Sequence, residues 1–431
     1  MLFLGLVASG CGKKSSLSGI FNKTTPYEAY QHSLEKANLD ETALGAKWIQ
    51  QGQAVFDDSL YITLPFSEEA YFDASNVMAN GYRFVAERGQ RIIITLNVLS
   101  REELRMFMDL FLIEDTPKHI VSADTSEALM EHEVKKDGEY FLRLQPELLR
   151  NGRYILSITS KAALSFPILE KDYKSIASIF GASRDAGARK HEGVDIFAPR
   201  YTPVLAVAKG RITRVNTNRL GGKVVWQRDP ERNLSYYYAH LDSQLVSPGQ
   251  NVAIGDTLGL VGNTGNAITT PPHLHFGIYA SGYGAIDPYT FFHTKNSVVS
   301  SNHDGDRLIG NTVRVIGENV NFRLAPDLKS SLIGKLPKNT MLRVQGATGS
   351  WLRVETGDLL KGYIHHNLVE TIGTPLGNIP IANESALYDF PGGEGILMQK
   401  IPSNGTVSIM AEHGKYYYVS YSDLYGWIEK P

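Results

Sequence analysis

The chain has 431 residues, of which 42% are hydrophobic and 20% are charged. Because this length exceeds what one hydrophobic core usually supports, several domains are expected. Lys and Arg total 43 while Asp and Glu total 45, so the basic excess typical of nucleic-acid binding is missing and no nucleic-acid partner is expected. The sequence also has no run of 18 apolar residues that would predict a membrane-spanning helix.

The first residues predict a lipoprotein signal. Residues 2–10 are apolar, end in small residues and directly precede Cys11, the single cysteine. This order is typical of the end of a signal peptide and resembles a bacterial lipobox, in which the cysteine is lipidated. We therefore predict a signal and polar tether over residues 1–23. The lipid on Cys11 would place the protein in the cell envelope, anchored to a membrane on its periplasmic side.

A short helical segment is predicted over residues 24–53, because Thr25, Pro26 and Glu28 have the pattern of a capped helix start. From 54 to 162, short β-rich runs alternate with turns, many of which contain glycine, which predicts a β-sandwich domain. The clearest of these runs cover residues 82–86, 90–96, 109–112, 140–144 and 152–158.

The C-terminal part contains an internal repeat. Gly362-Tyr363-Ile364 in the first copy matches Gly426-Trp427-Ile428 in the second, and similar matches precede both. The pattern resembles the bacterial SH3 module, which implies two small SH3-like barrels over 305–371 and 378–431. The resemblance implies that their aromatic residues bind wall peptides; the alternative interpretation is that these residues pack within the core or between domains.

Residues 163–298 contain four segments that carry chemistry. They are His191-Glu192-Gly193-Val194-Asp195, Tyr238-Ala239-His240-Leu241, Gly262-Asn263-Thr264-Gly265-Asn266 and His273-Leu274-His275-Phe276. The last is typical of a strand, on which His273 and His275 would share a face. His191 and Asp195, four apart on an extended segment, would also share one.

A zinc peptidase needs three protein ligands and one open position for water. Imidazole nitrogen and carboxylate oxygen suit zinc, so His191, Asp195 and one of His273 and His275 could supply the set. The other histidine of the pair, together with His240, would then move protons or stabilise an oxyanion. Glu192 is not assigned as general base, because the helical motif that would require it needs a histidine where Asp195 stands.

These segments, in this order, resemble the lysostaphin-type zinc endopeptidases, also called the LytM family, over roughly 163–298. The resemblance implies a core of antiparallel β-sheet, so that the whole chain would be mainly β. It also implies Zn²⁺ held by His191, Asp195 and His275, with His240 and His273 as catalytic histidines. The substrates that the resemblance implies are cross-link peptides of peptidoglycan or glycine-rich peptides.

The sequence departs from the family pattern in two places. Tyr201 stands where the family usually has glycine, so a turn near the groove is expected to differ. The segment 264–273 is longer than the commonest form, which is expected to alter one groove wall.

Three functions compete on this sequence. The first is a zinc-dependent endopeptidase acting on peptidoglycan cross-links, and it is favoured because no ligand is missing. The second is a regulatory wall-binding protein that activates other wall hydrolases, or an enzyme whose groove the N-terminal sandwich occludes until a protein partner removes it. The third is a wall-binding scaffold that uses the SH3-like pair.

Overall fold

The computed structural model describes residues 24–57, 60–74, 76–99, 104–125, 129–184, 187–293, 303–392 and 395–431. The predicted signal and tether with Cys11 therefore lie outside the described residues. Within the described ranges, no helix is long and apolar enough to cross a membrane.

Two helices open the described chain, α1 (Pro26–Lys36) and α2 (Ala43–Ala54). Thr25 caps α1: its hydroxyl accepts the Glu28 N–H at 3.1 Å, and the Glu28 carboxylate accepts the Thr25 N–H at 2.8 Å. This is the reciprocal bonding that the Thr-Pro-x-Glu pattern predicts. Trp48 of α2 is buried and donates its indole N–H to the Pro146 carbonyl at 2.8 Å, which fixes the helices on the following domain.

The sandwich unit follows, and its strands form two facing sheets. The strands are β1 (Phe66–Phe72), β2 (Asn80–Ala86), β3 (Gln90–Val98), β4 (Met106–Ile113), β5 (Pro117–Ser122), β6 (Leu129–Glu133), β7 (Gly138–Pro146) and β8 (Gly152–Ala162). One sheet has the order β2-β7-β4-β5 and the other contains β1-β8-β3-β6. Residues from both sheets form one hydrophobic cluster, as expected for a β-sandwich.

The central unit is an antiparallel sheet with short accessory strands. Its elements are β9 (Ile176–Ser178), β10 (Ser183–Arg184), β11 (Arg189–Lys190), β12 (Val194–Phe197), β13 (Pro203–Leu205), β14 (Gly210–Asn218), β15 (Gly222–Asp229), β16 (Leu234–Gln244), β17 (Asn251–Val252), β18 (Thr257–Val261), β19 (His273–Ala280), β20 (Gly284–Ile286) and α3 (Tyr289–Phe292). The main path runs β17-β14-β15-β16-β19-β12-β9. Buried aliphatic and aromatic residues on one face form its core, which leaves the other face of β12, β16 and β19 for the site described below.

Two SH3-like units complete the chain. The first contains β21 (Thr312–Val315), β22 (Val320–Arg323), β23 (Leu332–Leu336), β24 (Met341–Thr348), β25 (Trp351–Thr356), β26 (Lys361–His365) and β27 (Val369–Thr371). The second contains β28 (Gly377–Pro380), β29 (Ser385–Tyr388), β30 (Leu397–Ile401), β31 (Thr406–His413), β32 (Tyr416–Tyr421) and β33 (Leu424–Glu429). Five of the six strands of the second unit begin 65 residues after the corresponding strands of the first unit. The sequence repeat is therefore also a structural repeat. The predicted small barrels are open: within the described residues the strand order does not close into a ring.

The sandwich and the first SH3-like unit share one continuous sheet of eleven strands. Strand β1 pairs with β8 on one side and with β24 on the other, where Ala70 lies opposite Gly346. At this junction the Arg353 guanidinium donates to the Glu68 carboxylate at 2.8 and 3.0 Å, and both side chains are buried. These two units therefore pack as one body, although the central unit separates them in the sequence.

The central unit contacts the sandwich away from its open face. Arg232, after β15, donates to both carboxylate oxygens of Glu133 on β6, at 2.8 and 2.9 Å. Near α3, the Thr290 hydroxyl donates to the Arg88 carbonyl at 2.6 Å. These contacts attach the central unit to the sandwich without covering the open face.

Candidate metal centre

Two adjacent strands supply three of the predicted site residues. In the pairing of β12 with β19, Asp195 lies directly opposite His275, and Phe197 lies opposite His273. Directly opposed residues share a face of the sheet, as do residues two apart on one strand. Asp195, His273 and His275 accordingly line the same cleft, as the sequence pattern predicts for the paired histidines.

His191 reaches this face from the loop that precedes β12, where its backbone N–H donates to the Ala182 carbonyl at 2.8 Å. Gly193 lets this loop pass close to β19. A Cβ at that position would lie 2.4 Å from the Phe276 carbonyl oxygen and 2.9 Å from the His275 ring. Only glycine fits there without displacing a predicted ligand.

Three ligand atoms converge at the floor of the cleft. His191 Nε2 lies 3.0 Å from Asp195 Oδ1 and 2.9 Å from His275 Nδ1, and these last two atoms are 3.0 Å apart. Ligand atoms around one tetrahedral zinc ion, each about 2.0–2.1 Å from it, are separated by roughly 3.3 Å. The three side chains, which we call the metal triad, therefore fit zinc in spacing and in donor chemistry.

A second layer of hydrogen bonds orients the metal triad. His191 Nδ1 lies 2.9 Å from the Ile179 carbonyl oxygen, which can only accept, so the ring proton sits on Nδ1 and Nε2 keeps its lone pair. Arg184 Nη2 donates to Asp195 Oδ2 at 2.5 Å and to Ser178 Oγ at 2.7 Å. The carboxylate thus presents its other oxygen, Oδ1, to the two imidazoles.

Electrostatics keep these groups in the forms that bind a metal. Burial alone would raise the pKa of Asp195, but the His191 and His275 rings beside its carboxylate outweigh burial and hold that pKa well below its usual range. Burial lowers the pKa of His275, although its hydrogen bond with Asp195 opposes this. An ionised carboxylate beside a neutral imidazole is the protonation state that zinc requires.

Replacing Arg184 by methionine is expected to weaken zinc binding by about 10–100-fold, because losing a partner of a ligand typically has this effect. The Asp195 carboxylate would lose the donor that fixes its orientation and partly balances its charge. Competition titration against a chromophoric chelator measures the affinity. Lys190→Met is the matched control, since it removes a cation from the same hairpin and its side chain makes no described bond to Asp195. A zinc affinity within twofold of wild type for Arg184→Met would contradict this role.

His240 and His273 stand beside the metal triad and not within it. Their ring centroids are 5.0 Å apart, and the His240 ring is 5.9 Å from that of His275. His240 Nδ1 lies 2.9 Å from the Thr264 carbonyl, and His273 Nδ1 lies 2.9 Å from the Pro271 carbonyl. Both rings therefore carry their proton on Nδ1 and keep a lone pair on Nε2. Burial lowers the pKa of His240 to about 4, which keeps its ring neutral at pH 7.

The backbone at His240 is unusual and turns its side chain into the site. Its φ is +61°, and its N–H donates to the Gly221 carbonyl at 2.7 Å. The pairing of β15 with β16 shifts register between Lys223 and Val225, opposite the stretch that contains His240. A residue with positive φ at a register shift leaves the regular alternation of the strand, which explains how it joins His273 and His275.

The cleft has a volume of about 960 Å³ and lies wholly within the central unit. Trp226, Tyr237 and Tyr279 form an aromatic wall, with Trp226 4.5 Å from Tyr237 and 5.2 Å from Tyr279 between ring centroids. Arg189 and Lys190 on β11 lie at another part of the lining. All described lining residues fall between 177 and 279, so in the described chain neither the sandwich nor the SH3-like units contribute to the cleft.

The aromatic wall was not predicted from the sequence, because its three residues lie on different strands. Glu192 also lines the cleft, but it is exposed and accepts a hydrogen bond from the Tyr279 hydroxyl at 3.4 Å. The segment after Thr264 contributes Asn266, Ala267 and Thr270 to the lining, so the long segment does form part of a cleft wall.

Tyr201 has φ +71° and is 59% exposed, a conformation that favours glycine. Tyr201→Gly is expected to raise the free energy of unfolding by about 0.5–1 kcal/mol, because removing the Cβ relieves left-handed strain by more than glycine's added chain entropy costs. Urea unfolding measures this change. Tyr201→Ala is the control: it keeps the Cβ, so equal stabilisation by alanine would show that backbone strain is not the cause.

Comparison with known proteins agrees with this geometry. Residues 189–288 match Peptidase family M23, and residues 318–370 match the bacterial SH3 domain. The L-Ala–D-Glu endopeptidase of Bacillus subtilis is 36% identical over 29% of this chain and 41% of its own length. Peptidoglycan DD-endopeptidase ShyC of Vibrio cholerae is 31% identical over 31% of this chain and 29% of its own. Glycyl-glycine endopeptidase ALE-1 of Staphylococcus capitis is 30% identical over 36% of this chain and 45% of its own.

The matched region spans less than half the length of each of these relatives. The metal triad lies within the residues matched by the family model. This chain therefore contains a domain of peptidase family M23, of the LytM or lysostaphin type, followed by a bacterial SH3 domain.

Proposed function

We propose that the chain is a zinc-dependent endopeptidase that hydrolyses peptide cross-links of bacterial peptidoglycan. The observation that carries the proposal is the convergence of two imidazole nitrogens and one carboxylate oxygen, at 2.9–3.0 Å from one another, on the floor of an open cleft. The names of the relatives, an L-Ala–D-Glu endopeptidase, a peptidoglycan DD-endopeptidase and a glycyl-glycine endopeptidase, support the reaction class and the wall substrate.

In this proposal His191, Asp195 and His275 hold the zinc ion. When bound, zinc polarises the scissile carbonyl and lowers the pKa of water towards neutrality. His191 and His275 act as neutral ligands, and Asp195 supplies the single negative charge of the set. Arg184 keeps the Asp195 carboxylate in its binding orientation through the 2.5 Å contact.

His240 and His273 are proposed as the proton-transfer and oxyanion groups. Each has its Nδ1 proton bonded to a backbone carbonyl, so each can accept a proton at Nε2 from an attacking water molecule. A ring that has accepted this proton becomes a donor at Nε2, able to protonate the leaving amine or stabilise the oxyanion. The two rings, 5.0 Å apart between centroids, are close enough to serve the same scissile bond.

The aromatic wall and the two cations on β11, Arg189 and Lys190, are proposed to hold the peptide chain along the cleft. An open cleft of this size accepts an extended peptide and not only a single side chain. The proposal also includes a position in the cell envelope with a lipid on Cys11 at a periplasmic membrane face. One relative, YgeR of Escherichia coli, has a name that describes it as a lipoprotein.

The regulatory alternative is less well supported. A domain that only activates other hydrolases does not need an intact set of ligands, whereas here three ligand atoms converge. Occlusion by the sandwich would require its residues at the cleft, and in the described ranges none lines it. A protein partner and the scaffold role of the SH3-like units stay as secondary proposals.

The test is incubation of the chain without residues 1–23 with purified peptidoglycan sacculi, followed by mass spectrometry of the released fragments. Release of uncrosslinked peptides that stops with a chelator, returns with zinc and is absent in His191→Ala is the expected result. The masses also identify the bond that is cut. No release by wild-type protein loaded with zinc would refute the endopeptidase and favour the regulatory alternative.

A further inference from the structure

A second pocket lies at the junction of the two SH3-like units, far along the chain from the metal triad. It has a volume of about 350 Å³, and we call it the junction pocket. Seven residues line it, from β21 and the residue before it, from β27 and the segment after it, and from β32 and β33: Asn311, Thr312, Thr371, Ile372, Gly373, Tyr418 and Tyr425. Both units therefore contribute to one site.

The junction pocket is preformed, because hydrogen bonds hold the two units together around it. Arg314 Nη1 donates to the carbonyls of Thr374 and Met410, each at 2.9 Å. The Glu412 N–H donates to the Asn339 carbonyl at 2.8 Å. A pocket between units fixed in this way does not have to assemble when a ligand arrives.

Two tyrosine rings form one side of the junction pocket. Tyr425 lies opposite Ser420 in the pairing of β32 with β33, and Tyr418 is two residues before Ser420, so both rings stand on the same face. Their centroids are 6.1 Å apart with 23° between the planes. Tyr418 packs 5.0 Å from the buried Trp427 ring, whereas Tyr425 is 48% exposed. The two rings therefore form an aromatic platform, in which Tyr418 is held by packing on Trp427 and Tyr425 is accessible to a ligand.

The polar groups of the junction pocket are neutral and available. None of the seven lining residues carries a charge. Within the described residues, the hydroxyls of Thr312 and Thr371 make no hydrogen bond, and Asn311 uses only its amide N–H, towards the Arg307 carbonyl at 3.1 Å. Burial raises the pKa of Tyr418, an effect that Arg343 opposes, so its hydroxyl stays protonated. The ligand that these groups suit is uncharged, rich in hydroxyl or amide groups, and flat enough to lie on an aromatic face.

We propose that the junction pocket is a saccharide-binding site, which takes neutral N-acetylated hexose units through stacking on Tyr418 and Tyr425. Pyranose rings have apolar C–H faces and a polar edge, which matches an aromatic platform bordered by Asn311, Thr312 and Thr371. Stem peptides of the cell wall carry several carboxylates, whereas none of the seven lining residues is a cation; Arg343, opposite Thr312 on β24 and close to Tyr418, is a cation beside the pocket, so the peptide arm of the test below is needed. This site goes beyond the proposed peptidase activity: it would hold the glycan strand while the cleft acts on the peptide.

The test measures binding of chitotetraose, a chain of four N-acetylglucosamine units, to the full chain by isothermal titration calorimetry with chelator present. Tyr425→Ala is expected to weaken binding at least tenfold, while Tyr425→Phe, which keeps the ring, stays within threefold of wild type. Tyr283→Ala, at an 85% exposed tyrosine outside the junction pocket and the cleft, is the matched control and is expected to bind as wild type does. Thermal unfolding of each variant verifies that the fold is retained.

The proposal is overturned if wild type does not bind chitotetraose, or if Tyr425→Ala binds it as tightly as wild type does. Titration with sugar-free stem peptides is the second arm. Peptide binding that Tyr425→Ala abolishes, with chitotetraose silent, would assign the junction pocket to peptides. Because no cleavage is measured here, failure of the peptidase proposal on sacculi and failure of this one are separate results.

Discussion

Replacing Asp195 by asparagine is expected to leave the protein with less than one zinc ion per chain and to lower kcat/KM by at least about 10³-fold, since metal activation contributes several kcal/mol. The substitution keeps the shape of the side chain but removes the only negative charge of the metal triad. In the wild-type protein Arg184 donates to Asp195 at 2.5 Å. In the variant the positive charge of Arg184 would have no counter-charge beside the metal position. Zinc content after dialysis and cleavage of a cross-linked wall peptide are the two measurements.

The matched control for this prediction is Asp242→Asn. Asp242 lies on β16 close to the site in sequence, but its partner is Arg200 at 2.8 Å, and it does not line the cleft. Its zinc content and kcat/KM are expected to stay within about twofold of wild type, as for most exposed ion pairs. Full zinc and full activity in Asp195→Asn would show that the reaction centre lies elsewhere. Equal loss in both variants would indicate damage to the fold and not to the metal triad.

The residues of the candidate site could be predicted because their signals are local. His273 and His275 stand two apart in a strand-like run, and Asp195 follows His191 by four residues with Gly193 between them. The fold brings these two segments together, since β12 and β19 pair directly and place Asp195 opposite His275. The sequence could not indicate which nitrogen of each ring faces the metal position, because that depends on carbonyls such as that of Ile179.

The surroundings of the site were harder to predict for a physical reason. His240 faces the cleft only because its φ is +61° at a register shift. No side-chain pattern in the sequence predicts a positive φ at a histidine. The aromatic wall combines Trp226, Tyr237 and Tyr279 from three strands. Which residues of a strand meet those of its neighbours depends on register, which a single sequence does not specify.

Strand β1 is the clearest element that the sequence did not indicate. Glu68 and Glu69 interrupt its apolar pattern, and two successive carboxylates normally argue against a buried strand. Glu68 is nevertheless fully buried, because Arg353, 285 residues later, donates to both of its oxygens. A partner so distant leaves no local signal. The sandwich was predictable from its other strands, but its shared sheet with the first SH3-like unit was not.

That buried pair predicts the largest effect on stability. Arg353→Met is expected to lower the free energy of unfolding by about 3–5 kcal/mol, since it leaves a buried carboxylate without its counter-charge. The Tyr82 hydroxyl, 2.6 Å from Glu68, can satisfy one lone pair but cannot balance the charge. Arg353 also donates to Asn80 at 2.8 Å, so the substitution removes a hydrogen bond from a second sandwich residue. Urea unfolding followed by tryptophan fluorescence measures the loss.

Two variants distinguish the buried charge from a general effect of substitution. Lys400→Met breaks an exposed pair with Glu384 in the second SH3-like unit and is expected to leave the urea midpoint close to that of wild type. Adding Glu68→Leu to Arg353→Met removes the unpaired carboxylate and is expected to restore most of the lost stability, because apolar replacement of a whole buried pair is often neutral.

Hydrogen exchange on β1 and β24 should accelerate together in Arg353→Met, since these strands pair directly. Faster exchange on β24 with β1 unchanged would mean that the two units do not unfold as one body.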